Sequence, residues 1–149
     1  MPAALTVATA ESLTGGMIAA ELVTVPGASE VVRGGFVTYQ SVAKTMLLGV
    51  PEETIARCNV VSEEVACAMA KSAREQLDVD IAVSATGLAG PDGGTPERPV
   101  GTVFLGIATR ERVYAVPLHL SGNRARIRTL TVKHALHAVT REIKGEMEG

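Results

Sequence analysis

Apolar positions along this chain alternate between two periods, and the changes of period outline its elements. Leu5-Thr6-Val7-Ala8-Thr9 has the composition of a short strand, and Ile18, Leu22 and Val25, spaced i, i+4, i+7, form the stripe of an amphipathic helix. Pro26-Gly27 ends that helix. Gly35-Phe36-Val37-Thr38-Tyr39 predicts a second strand, rich in aromatic and β-branched residues. Ser41 is placed to cap a helix through Lys44, Met46 and Leu47, which Gly49 and Pro51 terminate. A short helix from Pro51 to Ala56 follows, with Glu52 and Glu53 at the positive end of its dipole.

The second half repeats the alternation. Ser62 opens a helix with Glu63 and Glu64 in its first turn and an apolar stripe at Val65, Met69, Ala73 and Leu77. Ile81 to Ala85 is nearly all apolar or small, as in a strand covered on both faces, and runs into the Gly- and Pro-rich loop Thr86 to Pro96. Val100 to Ala108 and Arg112 to Leu120 predict an antiparallel hairpin across Thr109-Arg110-Glu111. Ser121 or Asn123 opens a last helix, with Val132, Leu136, Val139 and Ile143 on one face and a tail from Gly145 expected to fray. Strand, helix, strand, helices, strand, hairpin, helix is the order of an α/β domain with helices over a mixed sheet of about five strands.

Composition narrows the class. At 149 residues the chain has one domain's length; 46% is hydrophobic and 20% charged, but only 3% is aromatic, with no Trp, so the core is built from aliphatic residues. A net charge of −2 gives no electrostatic basis for nucleic-acid or membrane binding. Cys58 and Cys67 form no metal or disulfide pattern and are expected as buried small apolar residues in a reducing cytoplasm. There is no long apolar run, and Met1 to Val7 has no signal-peptide pattern.

Two loops carry candidate chemistry, Glu11 to Gly16 and Thr86 to Gly94, and on parallel strands both open at the same sheet edge. Gly15 and Gly16 allow close backbone approach, and the free N–H groups of the following helix attract an anion; alternatively, Ser12 or Thr14 simply caps the helix. Arg124 and Arg128, one turn apart, suit a phosphate or carboxylate. His119, His134 and His137 have no metal-ligand spacing, so no metal is expected. Ser12 as nucleophile with Lys44 and Tyr39 from the next strand and helix is one arrangement these residues permit. It requires neutral lysine, under about one part in a thousand at pH 7 for an ordinary side chain, and lowering its pKa by about three units costs roughly 4 kcal/mol.

Ala10-Glu11-Ser12-x-Thr14-Gly15-Gly16, Gly35-Phe36-Val37-Thr38-Tyr39 with Lys44, Gly87-x-Ala89-Gly90-Pro91-Asp92-Gly93-Gly94, Pro99-Val100-Gly101-Thr102-Val103 and Ser121-Gly122-x-Arg124 together resemble the CinA C-terminal domain family, the nicotinamide-mononucleotide deamidases. The resemblance covers roughly residues 5 to 140. It implies a single three-layer α/β/α domain over residues 1–149, with a mixed, mostly parallel sheet similar to anticodon-binding-like domains. It also implies a cytoplasmic, cofactor-free hydrolysis of nicotinamide mononucleotide to nicotinate mononucleotide and ammonia, in a homodimer or higher oligomer. Ser12 is then the nucleophile, Lys44 the proton acceptor with Tyr39 assisting, and Thr86 and Arg124 substrate contacts. Thr14, Gly15, Gly16, Gly87 and Arg128 complete the expected substrate site. N–H groups around Thr14 to Gly16 would supply the oxyanion donors, and Arg124 competes with the Gly87 to Gly94 loop for the phosphate. The chain departs from the family in Leu13, where Cys is frequent, and Asn123, where Asp is expected. Members commonly have a helix before the first strand, which here comes almost at once, and the large N-terminal domain of full-length members is expected to be absent.

Overall fold

The computed structural model describes residues 5–148. Five strands, β1 (Val7–Glu11), β2 (Val32–Val37), β3 (Ile81–Gly87), β4 (Thr102–Thr109) and β5 (Val113–His119), form one sheet in the order β2-β1-β3-β4-β5. β1 pairs parallel with both β2 and β3, whereas β4 pairs antiparallel with β3 and β5. Only β4 is reversed, so four strands point the same way although the ladders divide evenly between the two kinds.

Helices cover both faces, giving the expected three-layer α/β/α arrangement. α1 (Met17–Leu22) and α5 (Arg124–Glu148) lie on the face where Val7, Ile81, Val83, Leu105 and Ile107 meet Ile18, Ile127 and Val139. α2 (Ser41–Leu48) and α4 (Glu63–Leu77) pack on the other, where Ala8, Ala10 and Ala82 meet Leu48, Val65 and Met69; α3 (Glu52–Cys58) rests on α4. The small β1 residues draw these helices close. At Gly106 the contact leaves no room for a side chain, since a Cβ there would stand 2.1 Å from the Ala66 carbonyl of α4. Ser84 Oγ donates to that same carbonyl at 2.6 Å, tying β3 to α4. On the opposite face Glu142 of α5 accepts from Arg112 Nη2 at 2.7 Å and from the Tyr114 hydroxyl, fastening the β5 edge.

Most sequence expectations hold in kind and shift in boundary. Ser62 caps α4 by accepting from Val65 N–H, and Asn123 caps α5 by accepting from Arg126 N–H. α1 ends at Leu22, leaving Val25 exposed rather than on the helix stripe. β2 lies upstream of the predicted strand because its ladder runs from Val7↔Val32 to Glu11↔Val37, which puts Tyr39 beyond its end. Thr86 and Gly87, expected in the loop, extend β3 because β4 pairs with them through Phe104 and Val103. α5 continues through Gly145 to Glu148, and the last residue of the tail expected to fray, Gly149, lies outside the described residues. Both cysteines are half-buried free thiols, not core residues. No helix among the described residues is long and apolar enough to cross a membrane.

Candidate active site

β1, β2 and β3 end side by side, and their carboxyl ends carry the candidate chemistry. Ser12 follows β1 directly, its N–H donating to Ala85 O of β3 at 3.0 Å. Thr38 follows β2 and donates its N–H to Glu11 O at 2.8 Å, so the turn into α2 begins beside Ser12. One helical turn into α2, Lys44 is delivered to the same point.

Lys44 is only 1% exposed, and it is among the largest fully buried side chains of the core. Its Nζ lies 2.9 Å from Ser12 Oγ, 2.6 Å from Thr38 O and 3.4 Å from Tyr39 O. No carboxylate forms an ion pair with it among the described residues. Burial without a counter-charge disfavours the ammonium and pushes its pKa down from 10.5 to about 8. The neutral fraction at pH 7 is then about one in ten. Geometry selects what that neutral amine does. In the structure Nζ donates to Ser12 Oγ, whose hydroxyl lies 3.4 Å from Tyr39 O. The two carbonyls can only accept, so a neutral amine that gives them its two N–H groups has its lone pair free to accept the Ser12 proton.

The turn after Ser12 works differently from the sequence expectation. Gly15 and Gly16 do adopt left-handed φ angles of 57° and 103°, which favours glycine at both. The anion at the start of α1, however, is the protein's own. Glu11, with no exposed surface, accepts from Ile18 N–H at 2.8 Å, Ala19 N–H at 3.0 Å and the Thr14 hydroxyl at 2.6 Å. Gly15 N–H is taken by Ser12 O and Met17 N–H by Thr14 O. The amides of Leu13, Thr14 and Gly16 have no protein acceptor among the described residues.

A cavity of about 290 Å³ opens over Ser12 and Lys44, and Tyr39, Thr86, Gly87 and Arg124 also line it. Six of the residues singled out from the sequence therefore converge. Thr14, Gly15, Gly16 and Arg128 do not line it. They hold the Ser12 turn from behind, Arg128 Nε donating to Leu13 O at 2.8 Å. Tyr39 offers the lysine its carbonyl, while the residue as a whole is 60% exposed and its hydroxyl accepts from Arg124 Nη2 at 2.9 Å. Arg124 Nη1 also donates to Gly90 O at 2.7 Å, so this guanidinium spans the mouth between two loops. Thr86 Oγ1 donates to Val60 O at 2.9 Å, fixing the wall between β3 and the α3–α4 connection.

Sequence reasoning missed the capping role of Glu11 and the Thr38 carbonyl. The Glu11-x-x-Thr14 spacing could have suggested a local carboxylate–hydroxyl bond; nothing local marks the carbonyl. Among the described residues no three of His, Cys, Asp and Glu are grouped so that they could hold a metal ion.

Residues 2–143 match the family described as CinA C-terminal domain. The chain belongs to the CinA C-terminal domain family. A relative from Thermoanaerobacter pseudethanolicus is 48% identical over 141 residues, covering 95% of this chain and 34% of the relative. A CinA-like protein of Gemmatimonas aurantiaca is 46% identical over 142 residues, covering 95% and 33%. The chain thus spans about a third of the length of these curated relatives. Among solved structures, the competence/damage inducible protein CihA from Agrobacterium tumefaciens aligns with a TM-score of 0.89 at 42% identity, over 92% of this chain and 84% of that one. A CinA superfamily protein from Escherichia coli aligns at 0.87 and 34%, over 91% and 79%.

Proposed function

We propose that this CinA-family domain hydrolyses the amide of nicotinamide mononucleotide to nicotinate mononucleotide and ammonia, with Ser12 as nucleophile and Lys44 as base. The observation that carries the reading is the buried Lys44 Nζ, 2.9 Å from Ser12 Oγ, beside two carbonyls and with no carboxylate partner among the described residues. A lysine that served only as a salt-bridge partner or surface charge would gain nothing from such burial.

The steps balance as an acyl transfer. Ser12 Oγ adds to the amide carbonyl carbon while its proton passes to Lys44 Nζ. The C–N bond breaks, Lys44 returns that proton to the leaving nitrogen, and ammonia departs. Water then adds to the Ser12 ester, giving a proton to Lys44, and the carboxylate leaves as Ser12 Oγ is reprotonated. The Leu13 N–H is the proposed oxyanion donor, since the α1 amides are occupied by Glu11. Arg124 and Thr86 border the cavity where the substrate would lie.

Ammonia release from nicotinamide mononucleotide is the direct test. Wild type is expected to turn over, with Ser12→Ala reduced about 10³-fold or more and a chelator without effect. Full activity in Ser12→Ala would overturn the assignment.

The homodimer is proposed on the apolar strip of Val42, Met46 and Leu47, all exposed on α2. Light scattering is expected to give twice the chain mass, and Met46→Glu to return it to the monomer. The same strip favours a second reading, a non-catalytic interaction module; tight binding of a pyridine nucleotide without turnover would select it.

A further inference from the structure

A second cavity of about 340 Å³ adjoins the first, and Ser41 and Val60 line both. Ile55, Ala56 and Arg57 of α3, Asn59 and Arg98 complete its wall. Arg98 stands apart from the other arginines in how it is held. Its Nε donates to Val61 O at 2.7 Å and its Nη2 to Cys58 O at 3.0 Å. Those bonds use two of the five N–H donors of a guanidinium and fix its plane, and no carboxylate pairs with it among the described residues. A rigid, uncompensated guanidinium on a cavity wall has already lost the rotamer freedom that anion binding would otherwise cost. Arg57, by contrast, makes an exposed pair with Glu53 at 3.4 Å and is free to swing. Arg124 is committed to Gly90 O and Tyr39 OH over the reacting end.

We infer that the cavity beyond Ser41 and Val60 seats the phosphate arm of the substrate and that Arg98 is its principal charge. The inference rests on Ser12 and Lys44 being the reacting pair, because that assignment makes the first cavity the amide end and the second the distal end. It resolves the choice between Arg124 and the Gly87 to Gly94 loop in favour of neither. Substrates are then amides bearing a phosphate one cavity away from the carbonyl, and the phosphate-free riboside is bound without this anchor.

Two measurements test it. In ammonia release, Arg98→Gln is expected to lower kcat/KM for nicotinamide mononucleotide roughly 30-fold, through KM, and to lower it far less for nicotinamide riboside. The preference for the phosphorylated amide should therefore collapse. Ala56→Trp, which fills the cavity from α3 without touching the bonds of Arg98, should show the same selective loss, and it stands in if Arg98→Gln melts early. Calorimetric titration with inorganic phosphate is independent of turnover. Wild type and Ser12→Ala should bind, and the two cavity variants should bind at least about tenfold more weakly. Equal losses for both amides, phosphate affinities within twofold of wild type, or no phosphate binding by wild type would overturn the inference. Absence of turnover on either amide, with phosphate binding lost in both cavity variants, would instead remove the deamidase assignment and leave an anion site at Arg98.

Discussion

Lys44→Met is expected to abolish ammonia release, by about 10³-fold or more, while leaving the protein as stable as wild type or slightly more so. The two effects have one cause. The folded protein holds an ammonium away from water, with two carbonyls and a hydroxyl as its hydrogen-bond partners among the described residues, and burial lowers its pKa from 10.5 to about 8. At neutral pH that lowering costs the native state about 3 kcal/mol. Met fills similar volume without charge, but it leaves the Thr38 and Tyr39 carbonyls one donor short, a loss of about 1–3 kcal/mol. The terms nearly cancel, so the melting temperature should stay put or rise by a few degrees.

The pH dependence has a definite sign. Between about pH 8 and 10.5 the unfolded chain still binds the lysine proton and the folded protein has released it, so this group makes stability increase with pH across that window. Below about pH 8 both states are protonated and the penalty is constant. Wild type should gain stability through the window, and Lys44→Met should lack that component. The rate should also rise with pH and level off near 8, as the neutral amine becomes the dominant form. A Lys44→Met variant that turns over at a tenth of the wild-type rate or better would remove lysine from the mechanism. A flat wild-type rate from pH 6 to 9 would remove its titration.

Glu11→Ala is expected to lower stability by about 3–5 kcal/mol, or roughly 10 °C in melting temperature for a domain of this size. Three donors share this carboxylate, namely the Ile18 and Ala19 amides and the Thr14 hydroxyl, and all would be left without an acceptor. Each unmet buried donor costs about 1–3 kcal/mol. α1 has no other cap, because Gly16 at its start contributes no side chain. Glu11→Gln keeps one acceptor oxygen but turns an NH2 toward a donor, so it should lose less. Since Ser12 is the next residue, Glu11→Gln assayed well below its melting point should lose kcat more than KM. Thermal unfolding of Glu11→Ala within 2–3 °C of wild type would show that α1 and its turn do not depend on the carboxylate.

Periodicity made the elements legible because each has one face against the sheet and one toward solvent. Ser62 with its two following glutamates marked α4, and the hairpin link Thr109 to Glu111 marked the β4–β5 turn, both through bonds made within a few residues. Boundaries set by partners were not legible. β3 continues through Thr86 and Gly87 only because β4 lies alongside, and β2 is placed by its register on β1 rather than by its own composition. The hydroxyl of Ser12 and the amine of Lys44 could be paired from the motif blocks, but the distance between them could not.

By itself, then, the sequence determined the alternation of strands and helices, the small aliphatic core, and the set of polar residues from which a site is drawn. Tertiary structure decided the rest through three effects. It buried Lys44 beside two carbonyls, and the resulting loss of hydration, invisible in a list of residues, brings its pKa close to neutrality. It folded Glu11 onto the start of α1, so the glycine turn that reads as an open anion site is satisfied from within. It set Arg98 across 37 residues onto Val61 and across 40 onto Cys58, turning an ordinary loop arginine into the fixed charge of a second cavity. Each depends on desolvation or on hydrogen bonds between one element and another, and the pattern of apolar and polar residues does not encode either.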